Sequence, residues 1–113
     1  MWALKHLKLY PKLYPEENLI FLGDFNLSQS HTVFNPLKSM GFVPVLVNQK
    51  TTLKMKCVDQ DCLASEYDNL FLESNVFSIL GQGVHLFYEY FRDLKSARKI
   101  SDHIPIWVEF DFN

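Results

Sequence analysis

The chain has 113 residues, 48% of them hydrophobic, with ten Phe and five Tyr. That is one domain at most, with ample material for a core and too apolar for a disordered segment. Its formal net charge of −2 gives no global attraction to nucleic acid or to an acidic membrane, so a polyanion must be met through local charge or a bound metal.

From the N-terminus, Ala3, Leu4, Leu7 and Tyr10 recur at helical spacing and predict a helix ending near Pro11. Lys5, His6 and Lys8 interrupt that segment where a signal peptide would run unbroken, which leans the protein toward the cytoplasm. No apolar run nears the roughly 18 residues of a membrane-spanning helix. After a turn over Tyr14 to Asn18, the run Leu19 to Gly23 predicts a strand buried on both faces. Ser28 or Ser30 is expected to cap a helix through Thr32 to Met40 that Gly41 closes, with Pro36 in its first turn or at a break. Phe42 to Val47 predicts a second strand, placed at an edge or a bulge by Pro44.

The polar stretch Asn48 to Glu66 is expected to be a long loop or a protruding hairpin. Tyr67 to Ser74 alternates as a strand with Asp68, Leu70 and Leu72 on one face. Gly81 and Gly83 predict a turn that ends a short strand; Gly-Gln-Gly alone is a weak phosphate-loop signal. Tyr88 to Lys99 carries a helical charge pattern, and Ile104 to Phe112 alternates as a terminal strand. The sum is two or three helices and about five strands in a mixed α/β layer.

Cys57 and Cys62 are the only cysteines. Four residues between them is at the edge of zinc-finger spacing and no second Cys/His pair follows. A local disulfide suits an exported protein; two unpaired loop thiols is the expectation.

Polar residues break the apolar pattern at three strand ends: Asp24 with Asn26, Asp68 with Asn69, and Ser101, Asp102 and His103. Strand alternation places Asp24 and Asn26 on one face. Each group has an ordinary explanation as turn or loop punctuation. A Ser-His-Asp triad is excluded, because three consecutive side chains in extended backbone point apart and cannot align with the His between the others.

Taken together and in order, "LIFLGDFN", "YDNLFLES" and "SDHIPIWVEF" resemble the endonuclease/exonuclease/phosphatase family, the DNase I-like metal-dependent phosphoesterases. "HTVFNPLKSMGF" is similar to the family's short helix after the first of these strands, and the resemblance spans roughly residues 15 to 112. It implies an α/β (α+β) fold, half of a four-layer α/β/β/α sandwich, with one mixed sheet and flanking helices. It further implies that Asp24 orients and deprotonates an attacking water or helps hold a metal, and that Asn26 fixes a phosphate oxygen. Asp102 would bind Mg²⁺ (or Mn²⁺) with Asp24, His103 would contact the scissile phosphate as imidazolium, and Asp68 would pair with His103. Lys95, Arg98 and Lys99 run into the last motif and could steer a phosphate backbone, or be a solvated helix end.

Only the second half of the family's fold is matched, so residues 1–113 read as a single partial domain. The first half supplies a metal-binding glutamate in a Gln-Glu pair, which this chain lacks. Glu16 and Glu17 lie at the opposite end of the Leu19–Gly23 strand, roughly 16 Å away; Glu73 and Glu109 are no better placed. The sheet face bearing Leu70 and Leu72 would pack on the missing half, so association is expected, with a second copy or with a separately encoded first half. The expected function is thus a metal-dependent phosphoester hydrolase half-domain, weak or inactive alone, with a phosphoester substrate and nucleic acid among the candidates. The alternative is a non-catalytic module that binds a partner through its sheet face.

Overall fold

A computed structural model describes residue 4 and residues 6–113; Ala3 of the expected N-terminal helix lies outside them. Helical turns from Leu4 onward lead into α1 (Leu9–Leu13). Pro11 does not end this helix, because it sits in the first turn, where a missing N–H costs nothing. Leu4 and Leu7 turn onto the core beside Phe34 and Leu37.

Strand β1 (Ile20–Asp24) follows. A 3-10 turn (Thr32–Phe34) then runs into α2 (Asn35–Ser39), whose first turn accepts Pro36. The cap is neither Ser28 nor Ser30 but His31, whose Nδ1 accepts from the Val33 N–H at 3.0 Å. The serines instead engage each other, with Oγ atoms 3.1 Å apart. Gly41 closes the helix at φ +93°, a backbone conformation that side chains disfavour. Strand β2 (Phe42–Pro44) stops well short of Val47. Beyond Pro44, the buried side chain of Asn69 takes over pairing, accepting from Leu46 N at 3.0 Å and donating to Leu46 O at 2.8 Å.

The polar stretch is a hairpin of β3 (Leu53–Val58) and β4 (Asp61–Leu63), turned by Asp59 and Gln60 at φ 51° and 70°. Cys57 and Cys62 are disulfide-bonded, which corrects the expectation of free thiols. The two-residue turn pairs Val58 with Asp61, so the next residues outward stand opposite each other with Cα atoms 4.2 Å apart. Spacing along the chain hid a proximity that strand register creates. Cys57→Ser with Cys62→Ser is expected to cost about 2 kcal/mol, the chain-entropy value for so short a loop. The check is the urea midpoint of the double variant against the parent, with an unchanged midpoint as the contrary outcome.

Strand β5 (Asp68–Glu73) is central, β6 (Phe77–Val84) and β7 (Ile106–Phe112) form a ribbon, and a 3-10 turn (Phe87–Tyr90) and α3 (Leu94–Arg98) connect them. Gly81 and Gly83 do not end β6. The Trp107 ring lies over them, and a Cβ on Gly83 would meet it at 3.2 Å, so close approach is what requires these glycines. The expected helix over Tyr88 to Lys99 shortens to α3, which Asp93 starts by accepting from Ser96 N at 2.8 Å.

The result is a small α+β domain. Among the described residues there are, in place of one mixed sheet, three antiparallel ones, ordered β1-β5-β2, β3-β4 and β6-β7. Pro44 has no N–H to give and ends β2 after three residues, leaving no ladder on that edge for the ribbon to extend. The sheet β1-β5-β2 carries an apolar cluster on each face, but β1 is not the strand buried on both faces that its apolar run predicts, since Leu22 is 68% exposed. Phe21, Phe42 and Phe71 meet Phe34 and Leu37 of the helical side. On the other face Leu72 meets Val45, Leu46 and Phe77, with Ile79, Val84, Ile106 and Val108 of the ribbon packed around them.

This second face therefore departs from expectation. Leu72 is fully buried and Leu70 half-buried, so the chain covers much of that face itself. Exposed apolar side chains include Leu22, directly opposite Leu70 in register, and Phe110 and Phe112 of the ribbon, besides Met55, Leu80 and Ile100 elsewhere.

Candidate active site

Register decides what gathers at the end of the central sheet. β1 and β5 pair Ile20 with Leu72, Leu22 with Leu70 and Asp24 with Asp68. Alternation then puts both carboxylates on one face, directly opposite each other, an arrangement that like charges make unfavourable. His103 lies between them. Its Nδ1 is 2.7 Å from Asp68 Oδ2, and its Nε2 is 3.6 Å from Asp24 Oδ2 and 3.8 Å from Asp102 Oδ1. Four of the residues expected at the site thus converge, from β1, from β5 and from the loop before β7.

His103 is fixed by its backbone as well as by its ring. Thr52 and His103 form an antiparallel bridge, flanked by Leu53 N donating to Asp102 O at 2.7 Å and Ile104 N donating to Thr51 O at 2.8 Å. Ser101 Oγ accepts from His103 N at 2.9 Å. Behind Asp68 stands Thr51, which is completely buried. Its hydroxyl donates to Asp68 Oδ2 at 2.6 Å and accepts from Asp68 N at 2.9 Å. Asp68 is therefore held by Thr51 on one side and turns the same oxygen to His103. Sequence reading missed Thr51 and Thr52, because a pair of threonines in a polar stretch carries no signal until the fold threads it between β5 and the Ser-Asp-His loop.

Asn26 is not placed by strand alternation. β1 ends at Asp24, Asn26 has φ 55°, and its N–H donates to Asp24 Oδ1 at 3.0 Å in a tight turn. It remains on the exposed rim beside Asp24. Arg98 Nη1 donates to Leu53 O at 2.7 Å and to Lys54 O at 3.2 Å, tying α3 to β3. Lys99 is exposed at the end of α3, and no ion pair links it or Lys95 to the cluster among the described residues.

The hydrogen bond from Asp68 raises the His103 pKa from its ordinary value; partial burial opposes this, and the charges of Asp68, Asp24 and Asp102 add to it. The imidazolium thus persists to higher pH than in a free histidine. Its pairing stabilises the fold below histidine's ordinary pKa, and that contribution fades as pH rises through the raised value. In metal-free protein the His103 ring should titrate above the ordinary histidine value by NMR, and Asp68→Asn should bring it down. An unchanged midpoint in Asp68→Asn would mean that Asp68 does not hold the proton on His103.

Three carboxylates around one imidazolium leave two negative charges unmatched within the cluster, the charge of one divalent cation. Asp24, Asp68 and His103 offer ligand atoms within 4.8 Å of one another. Asp68 Oδ2 already accepts from Thr51 and pairs with His103, however. Asp24 and Asp102, which are 39% and 60% exposed, offer further carboxylate oxygens at the rim of the cluster. In comparisons with known proteins, no family model, no curated protein and no solved structure matches the chain.

Proposed function

We propose that the chain is the C-terminal half of a metal-dependent phosphoester hydrolase of the endonuclease/exonuclease/phosphatase type, one half of a DNase I-like sandwich. The observation that carries this reading is the facing pair Asp24 and Asp68 with His103 between them and Asp102 beside it. A merely structural sheet end gains nothing from opposed carboxylates. In this reading Asp24 orients the attacking water and takes its proton. His103, aligned through Nδ1 by Asp68 and Thr51, presents Nε2–H to a phosphate oxygen as charge builds there. Asn26 steadies the phosphate from the rim. A divalent ion on Asp24 and Asp102 supplies positive charge to the phosphate oxygens.

The test is hydrolysis of bis-p-nitrophenyl phosphate and of plasmid DNA with Mg²⁺ or Mn²⁺, with and without chelator. Metal-dependent turnover is expected, though weak from these 113 residues alone, because the Gln-Glu pair of the family is not among them. Mn²⁺ broadening of the NMR signals of Asp24, Asp102 and His103 tests the ion site apart from turnover. Signals that stay sharp would remove the metal from the reading. The Cys57–Cys62 disulfide suits an oxidising compartment, which weighs against the cytoplasmic lean of the N-terminal sequence.

The same reading assigns a partner to the exposed apolar side chains of Leu22, Phe110 and Phe112: a second copy or a separately encoded first half. Light scattering of the chain alone is expected to show a species heavier than a monomer, and Leu22→Lys with Phe112→Lys to shift it to monomer. A monodisperse parent monomer at moderate concentration is the contrary result.

A further inference from the structure

A groove of about 470 Å³ runs between β3 and α3, lined by Met55, Lys56, Cys57, Leu94, Lys95 and Arg98. Met55, Lys56 and Cys57 are consecutive in an extended strand whose side chains alternate, so the groove follows the edge of β3 rather than either face. That edge is open. Among the described residues β4 is the one strand partner of β3. On the other side Leu53 N donates to Asp102 O, and Arg98 Nη1 takes the carbonyls of Leu53 and Lys54. Beyond them, no backbone group of the described residues outside the hairpin bonds Met55, Lys56 or Cys57. The Cys57–Cys62 disulfide and Arg98 brace the strand, so its edge is held in shape before anything docks.

We infer that this edge takes an acidic segment of a partner protein as an added strand, with the partner's carboxylates drawn to Lys56 and Lys95. Three cations and no acid line the groove, in a chain whose formal net charge is −2. Lys56 and Lys95 are exposed, and no ion pair engages either of them among the described residues. An open strand edge is a template for pairing, and a peptide backbone matches its N–H and C=O groups as a polynucleotide cannot. Met55, exposed, and Leu94, half-buried, add apolar surface for an anchoring side chain. A second copy is the wrong occupant. Pairing two β3 edges would set Lys54 and Lys56 of one chain against the same lysines of the other, and like charges across strands repel.

The experiment is NMR titration of the full, disulfide-bonded chain with four probes. These are a short capped peptide of alternating Glu and Val, its Lys-Val counterpart, the Glu-Val peptide with Pro at its centre, and a short oligothymidylate. The Glu-Val peptide is expected to shift the amide signals of Met55, Lys56 and Cys57 and to bind on the order of tenfold tighter than the Lys-Val peptide, as two exposed ion pairs allow. The Pro-containing peptide should bind more weakly than its parent at equal charge, because it lacks an N–H for the ladder. Lys56→Glu with Lys95→Glu, at exposed positions where folding is not at stake, should invert the preference and favour the Lys-Val peptide. Equal binding of the acidic and basic peptides would overturn the proposal, as would a preference left uninverted by the double variant. A Pro-containing peptide that binds as well as its parent would overturn strand addition. Tighter binding of the oligothymidylate than of the Glu-Val peptide would overturn the proposal in favour of nucleic acid. Amide signals that stay in place at millimolar peptide would overturn it outright.

Discussion

Asp24→Asn is expected to reduce metal-dependent hydrolysis of bis-p-nitrophenyl phosphate to the level of buffer alone, a loss of at least about a hundredfold for removal of a general base. The same variant should fold as well as the parent or better. An amide oxygen at this position still accepts the Asn26 N–H that Asp24 Oδ1 accepts, so the turn survives. Neutralising Asp24 also relieves its opposition to Asp68, to which it is paired in register. Loss of activity with retained stability is the mark of a residue kept for chemistry. His103→Ala should be equally inactive but less stable, because it leaves Asp68 half-buried without its partner at 2.7 Å. A urea midpoint that falls in Asp24→Asn as far as in His103→Ala would make Asp24 structural. Hydrolysis that survives in Asp24→Asn would move the base elsewhere.

The contrast between these variants follows from how the site was legible. Asp24, Asp68, Asp102 and His103 are visible in the sequence because each interrupts an apolar strand pattern at its end, where a plain core has no use for an acid. Their convergence follows from register, which alternation constrains once the strands are known. Asn26 was misplaced because the same alternation was carried past the end of β1, into a residue at φ 55°. The hold of Arg98 on the carbonyls of Leu53 and Lys54 could not be read from its place near a motif. Thr51 and Thr52 were invisible, and the disulfide could not be preferred to free thiols, for a common reason. They lie in the polar stretch whose pairing depends on the two-residue turn at Asp59 and Gln60 and on a loop some 50 residues away in sequence. The glycines of β6 gave a false break because their reason lies across the ribbon, in Trp107. Local pattern thus located the polar cluster, while the parts that hold it are set by contacts the pattern does not contain.

Phe71→Ala is expected to have the largest effect on the fold, about 3–5 kcal/mol of lost stability. Phe71 is fully buried at the middle of β5. Its ring stacks on Phe34 with centroids 4.8 Å apart and meets Phe25 edge-on at 5.5 Å. It therefore joins the central strand, the 3-10 turn before α2 and the exit of β1, and no single neighbour can collapse into the space it leaves. Against a total of roughly 5–15 kcal/mol for an ordinary domain, that loss is a large fraction of the whole, so the urea midpoint should fall steeply. Phe71→Leu, which keeps most of the volume, should lose much less. Phe112→Ser, at a 61% exposed position, should leave intrinsic stability within about 0.5 kcal/mol. A Phe71→Ala midpoint close to the parent's would show that the three-stranded sheet is not the core. The site depends on that sheet, because Asp68 lies three residues before Phe71 on β5 and faces Asp24 only while β1 and β5 stay in register. Mn²⁺ broadening at His103 should accordingly be lost at lower urea in Phe71→Ala, together with the fold, while in Asp24→Asn it should weaken with the fold intact.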